Sequence, residues 1–288
     1  MEKLARYFLL CFGAVALAAC SDDEPQVGAH YTMRIKAANP ATSESRTALD
    51  QNGLTPLWTV DEKLGVTFGE GTFQLAGDHT APVAETVFAG AVTVPAGADK
   101  FYAFHPADAA VNGTNVTFSI PMTQAGGNNF PDDILISEAA PMSLDGSPVA
   151  LRLKRQSALI HIKMILKDVT KLDPKKTQPV YAAFSNNGEF AHFTGQASLD
   201  LKQGQLVVDR SKSYRNAMVN FQGKSLEEQN SFYLNCFPTT FPAGSELVFG
   251  WVTNRYEIKK TVILQNPIEV RAGHIVQFNI TITDQEIH

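Results

Sequence analysis

Apolar residues recur at every second position through much of this chain, and that period admits few architectures. Tyr31, Met33 and Ile35 alternate with Thr32, Arg34 and Lys36. Ile160, Ile162 and Met164 alternate with His161 and Lys163, and Val276, Phe278, Ile280 and Ile282 with Gln277, Asn279, Thr281 and Thr283. Successive side chains on an extended backbone point to opposite faces, so each run predicts a strand with one buried face and one wet face. His161, out of phase with its apolar neighbours, is expected to be exposed. Residues 247–252 and 261–264 are more continuously apolar and are expected as central strands. Asn112-Gly113, Asp145-Gly146, Asn187-Gly188 and Gln203-Gly204 punctuate the runs as turns do. Residues 166–172 and 224–229 are expected to form a helical turn or two each, since neither sustains an i, i+3, i+4, i+7 stripe. The fold class is therefore all-β, in antiparallel β-sandwiches with little helix. A chain of 288 residues is long enough for two cores. An Ala-, Pro-, Ser- and Gly-rich stretch over 137–147 puts the division near residue 150, giving an N-terminal domain over 29–150 and a C-terminal one over 151–288.

The N-terminus carries a different pattern. Lys3 and Arg6 precede an apolar run, Tyr7 to Leu17, that falls short of the roughly 20 residues needed to span a bilayer. Small residues then lead into a cysteine: Leu17-Ala18-Ala19-Cys20. This reads as a lipoprotein signal over residues 1–19, cleaved before Cys20, whose thiol and new amino group take acyl chains. At about 0.8 kcal/mol per buried methylene, two or three chains make such an anchor effectively permanent. Residues 20–28, opening Cys20-Ser21-Asp22-Asp23-Glu24-Pro25, form an acidic tether. Acidic residues directly behind the cysteine resemble the surface-export signal of some Gram-negative lipoproteins, and a plain solvated spacer explains them nearly as well.

Composition removes several function classes. The formal net charge is -5, and removing residues 1–19 makes the chain slightly more acidic, which excludes a nucleic-acid footprint. Of three cysteines, Cys11 leaves with the signal and Cys20 takes lipid, so Cys236 stands alone and is expected as a small buried residue. The seven histidines are scattered, with no two at metal-ligand spacing, and no metal site is expected. No nucleophile elbow, phosphate loop or dinucleotide fingerprint occurs, so no catalytic residue and no cofactor is assigned. Asp132-Asp133 and Glu227-Glu228 are adjacent carboxylates, expected as solvated loop charges. Trp58 and Trp251 are expected in the core, and exposure of either indole would instead offer a platform for sugar rings.

The order of motifs resembles that of the fimbrillin-like family. After the first strand come Ser45-Arg46-Thr47 and then Trp58-Thr59-Val60-Asp61-Glu62-Lys63-Leu64-Gly65-Val66, similar to that family's W-x-x-x-D-x-x-G-V signature. Phe101-Tyr102-Ala103-Phe104-His105-Pro106 is similar to its Y-A-x-x-P strand. Phe118-Ser119-Ile120-Pro121-Met122-Thr123-Gln124, Asp133-Ile134-Leu135-Ile136-Ser137 and Ala272-Gly273-His274 follow in the same order.

The resemblance implies two transthyretin-like β-sandwich domains in a subunit of lipoprotein-derived, type V-like fimbriae. Its partners would be the outer membrane through a lipid anchor, other fimbrial subunits, and host or bacterial surface ligands. It implies that a protease cuts after a basic residue in the first loop, here between Arg46 and Thr47, and frees the first strand for replacement by one from a neighbour. The strand so displaced carries Tyr31, Met33 and Ile35, whose burial is worth about 5–9 kcal/mol gross, so spontaneous loss is rare and an irreversible cut is a sensible trigger. A plain surface arginine explains Arg46 equally well. Stalk, tip and anchor positions in a fibre stay open. The alternative is a glycan-binding outer-membrane lipoprotein associated with polysaccharide uptake, and a surface hydrolase with fold-assembled carboxylates comes third.

Overall fold

A computed structural model describes residues 30–40, 57–125, 132–143, 145–188, 191–221 and 223–288. Cys20, the tether, Arg46 and Thr47 lie outside the described residues. The first part of the chain supplies β1 (His30–Ala38), β2 (Lys63–Thr67), β3 (Phe73–Gly77), β4 (Glu85–Thr93), β5 (Lys100–His105), β6 (Ala110–Asn112), β7 (Asn115–Ile120), β8 (Thr123–Ala125), β9 (Leu135–Ser137), β10 (Ala140–Pro141), β11 (Val149–Leu151) and β12 (Leu153–Arg155). The second part continues in the same manner. It supplies β13 (Ala158–Leu166), β14 (Pro179–Asn186), β15 (Thr194–Asp200), β16 (Gln205–Tyr214), β17 (Asn216–Asn220), β18 (Ser231–Cys236), β19 (Thr239–Phe241), β20 (Glu246–Thr253), β21 (Glu257–Ile263), β22 (Ile268–Val270) and β23 (Ile275–Ile282). Among the described residues the sole helix is a 3-10 turn at Asp284–Glu286. Of the two segments expected to hold a helical turn, 224–229 forms a single one, with the Gln229 N–H donating to the Ser225 carbonyl at 3.0 Å, and 166–172 forms none.

The alternating residues do what their period requires. In β7, Val116, Phe118 and Ile120 are buried while Asn115, Thr117 and Ser119 are exposed. Between β6 and β7 the pair Asn112↔Asn115 leaves a two-residue turn, which Gly113 opens at φ 64°.

The largest sheet has nine strands in the order β11-β1-β4-β3-β2-β5-β9-β12, with β10 added on β5. Its two end strands, β11 and β12, are consecutive in the chain and separated by Arg152 alone. Leu151 and Leu153 can lie at most about 7 Å apart, so the sheet curls until its edges meet. Inside sit Ile35, Leu64, Phe88, Phe101 and Trp58. The second core lies between a three-stranded sheet, β18-β13-β23, and a five-stranded one, β21-β20-β14-β17-β8. At its centre the Phe184 ring meets those of Phe193, Phe241, Phe249 and Phe278 at centroid distances of 5.2–5.8 Å.

Among the described residues three sheets take strands from both sides of residue 150: the nine-stranded one, through β12, and two others. β7 pairs with β15 in the sheet β16-β15-β7-β6, and β8 adds in parallel to β17. A third apolar cluster, including Phe104, Phe118, Ile136, Leu199 and Phe237, fills the space beneath the β7–β15 pairing. Three pairings are parallel, β1–β11, β13–β23 and β8–β17, within a mainly antiparallel structure.

Other expectations change. Residues 261–264 fall at the end of β21, an edge strand of the five-stranded sheet, where Val262 and Leu264 turn inward and Thr261 and Ile263 outward. His161 is half-buried because the Tyr233 ring on the neighbouring strand stacks on it at 4.3 Å. Asp133 is no solvated loop charge: it is buried against Arg155, a partner 22 residues away in sequence. Glu227 and Glu228 are exposed.

Candidate functional site

β1 is held on both sides. Along one edge it pairs antiparallel with β4 over its whole length, from His30↔Thr93 to Ala38↔Glu85. Along the other, Ile35, Lys36 and Ala37 pair in parallel with Val149, Ala150 and Leu151 of β11. Its odd-numbered residues face the core: Met33, Ile35 and Ala37 are buried, and Tyr31 packs partly against the same cluster. The even-numbered residues Thr32, Arg34 and Lys36 are exposed, and Lys36 reaches Glu85 across the surface at 2.9 Å. The three side chains singled out from the sequence, Tyr31, Met33 and Ile35, thus stand in one row.

A polar clasp closes the C-terminal end of that row. Asn39, two residues beyond Ala37, is buried; its N–H donates to the Ala84 carbonyl at 2.8 Å. Its Oδ1 accepts a hydrogen bond from Arg155 Nη2 at 3.1 Å. Arg155 Nε donates to Asp133 Oδ2 at 2.7 Å, and Ser157 Oγ donates to the other carboxylate oxygen. Both charged side chains are nearly free of solvent, at 2% and 3% exposure. Burying such a pair is costly unless its remaining donors and acceptors are met, so Asn39 belongs to the charge balance of the site. Sequence reasoning missed this group. One signal was present: Arg155 shares parity with Leu153 on β12, which places a guanidinium on the core side.

His105 links the clasp to the Trp58 loop. Its Nδ1 donates to the Asp133 carbonyl at 2.8 Å, its Nε2 stands 3.9 Å from Glu62 Oε1, and its ring meets Trp58 edge-on. Glu62 accepts from the Thr59 N–H at 2.5 Å, which holds the turn after Trp58. Burial pushes the Glu62 carboxyl above its ordinary range, against the opposing pull of Thr59 and His105.

Other candidates fare differently. Both indoles are fully buried, with Nε1 unpartnered among the described residues, so neither offers a face to a sugar. Cys236 is buried, its thiol donates to the Ala158 carbonyl, and burial raises its pKa, which makes it unreactive. A cleft of about 340 Å³ is lined by Asp108, Asp132, Thr117, Ser119 and Gln196 with no histidine or cysteine. Burial, aided by Asp108, raises the Asp132 carboxyl. Among the described residues no three His, Cys, Asp or Glu side chains come together as metal ligands.

With this geometry in view, the sequence profile of the fimbrillin-like family matches residues 57–288, most of the chain. The chain belongs to the fimbrillin-like family. A search of curated protein sequences finds no match. Solved structures supply likeness of fold. A candidate cell adhesion protein from Bacteroides uniformis superposes with a TM-score of 0.54 at 16% identity, covering 89% of this chain and 96% of that one. Another, from Bacteroides ovatus, gives 0.54 at 14% identity, with 90% and 95% coverage. The fimbrillin-like match begins at residue 57, downstream of β1, while the clasp partners Asp133 and Arg155 lie within it.

Proposed function

We propose that this fimbrillin-like protein is a non-enzymatic cell-surface subunit of a fimbria used in adhesion, assembled by exchange of β1. In this reading the precursor is anchored in the outer membrane by lipid on Cys20, and cleavage between Arg46 and Thr47 cuts the covalent link behind β1. The observation that carries it is the position of β1: an inner strand of a curled sheet, paired with β4 along one edge and with β11 along the other. Once it leaves, β4 and β11 present unpaired N–H and C=O groups above a row of empty apolar pockets, the physical basis of strand addition. The units 29–150 and 151–288 then act as two domains coupled through the β9–β12, β7–β15 and β8–β17 pairings. The glycan-binding alternative loses the platform an exposed tryptophan would offer, since both indoles are buried.

Limited trypsin digestion followed by mass spectrometry tests the proposal. The expected first cut is after Arg46, with the N-terminal fragment staying bound until partner subunits are added. Resistance of Arg46 while other sites are cut, or a cleaved product that stays monomeric with partners present, overturns it.

A further inference from the structure

The row vacated by β1 is not a uniform apolar slot. Five residues of one parity fill it: Tyr31, Met33, Ile35, Ala37 and Asn39. The fourth is small, 1% exposed, and flanked in register by Thr86 on β4 and Leu151 on β11. The fifth is polar and supplies the oxygen that meets Arg155 Nη2. Arg155 Nη1 has no partner among the described residues, and Nε is taken by Asp133, so the guanidinium has little spare satisfaction to lose.

Resting on the reading that β1 is exchanged, we propose that the vacated groove selects an extended segment of another subunit bearing large apolar side chains at three alternate positions, a small residue at the fourth and an Asn or Asp at the fifth. A bulky fourth residue meets a filled core and overpacks it. A fifth residue without a side-chain oxygen leaves a buried guanidinium donor unmet. The rule distinguishes candidates within this chain. Val276, Phe278, Ile280, Ile282 and Asp284 share one parity on β23 and its extension. Laid in the register of β1, they supply large residues and a fifth-position carboxylate but put Ile282 where Ala37 fits. The groove therefore discriminates against the chain's own last strand at a single position.

Labelled peptides separate this inference from the reading beneath it. The full chain, with a site-specific protease sequence inserted after Arg46, is cut, loosened in mild denaturant and returned to buffer with excess peptide. Retention is read by fluorescence anisotropy after gel filtration. The peptide of residues 30–40 is expected to be captured, and its Asn39→Asp form equally. Ala37→Leu and Asn39→Leu peptides are each expected to bind about tenfold more weakly, as is the peptide of residues 276–286. Capture of both leucine variants within twofold of the parent overturns the selection rule while leaving strand exchange standing. So does tight capture of the 276–286 peptide. Failure to capture even the 30–40 peptide overturns the exchange reading, and the rule falls with it.

Discussion

β1 and β23 share an alternating pattern and a buried apolar face, yet they are fastened by different means. β1 has ladder partners on both edges, and its row ends in a dry clasp. β23 pairs with β13 on one edge, and a polar network gathers in the tail beyond it. There Thr283 and Glu286 form a capping box, and Lys260 reaches Glu286 at 2.6 Å. Asp284 accepts hydrogen bonds from the Thr170 and Lys171 backbone and from the Thr170 hydroxyl. Glu257 and His288 exchange two backbone hydrogen bonds, and Ile287 is buried. Both strands are therefore held by a buried face, the first with two ladders and a dry clasp, the second with one ladder and polar contacts at its exit. A single backbone cut beyond Asn39 detaches the first from the chain without touching what holds it, whereas freeing β23 means breaking many exposed bonds as well as leaving a core.

Each core contains one of the two tryptophans, Trp58 or Trp251, so Trp251→Phe and Trp58→Phe backgrounds report the two regions separately in denaturant titrations. The sharpest break is Asp133→Ala, which strands a buried guanidinium and is expected to cost about 3–5 kcal/mol in the Trp58 transition. A matched loss in the Trp251 transition would show that the clasp does not belong to the β1 region alone. Next come Ile35→Ala and Ile280→Ala, each expected to cost about 2–5 kcal/mol, the first read at Trp58 and the second at Trp251. Asp284→Ala is expected to lower the Trp251 midpoint by less than Ile280→Ala, since its bonds are exposed.

Acid sharpens the contrast further. Lys260 and Thr283 hold the Glu286 carboxyl down to about 2, so its contribution is present above its unfolded value of 4.5 and is lost as pH falls towards 2. Glu62 has the opposite sign: its raised carboxyl carries a cost at neutral pH that is relieved as pH falls towards 4.5. Glu286→Gln is thus expected to destabilise at pH 7 and to lose its effect in acid. Glu62→Gln is expected to be neutral or mildly stabilising at pH 7, with the difference from the parent vanishing near pH 4. Lys36→Ala is equally mild: it removes a half-exposed surface pair and is expected to lower the stability read at Trp58 by about 0.2–1 kcal/mol at most.

Parity was the legible part of this molecule. It assigned the core face of β1 from Tyr31, Met33 and Ile35, that of β23 from Val276, Phe278, Ile280 and Ile282, and the burial of Cys236, while that of both tryptophans followed from the tendency of large aromatic rings to pack inside. Parity says which way a side chain points and nothing about what stands opposite. The Asp133–Arg155 pair stayed hidden because its members lie 22 residues apart, on a loop and a strand that only the sheet order brings together. The same gap explains the sheets that cross residue 150, since no local pattern encodes the pairing of β7 with β15. Adjacent carboxylates misled for a related reason: Asp132 and Asp133 look alike in sequence, and only the second meets a cation.

The register of β1 against β4 has a mechanical consequence. His30 to Ala38 runs antiparallel to Glu85–Thr93 without a slip, so tension applied along the strand is shared by every rung of the ladder at once. The same force applied crosswise at one end would open the rungs one after another. Whichever segment lies in that position, a lengthwise pull meets the seam at its strongest and a sideways pull at its weakest.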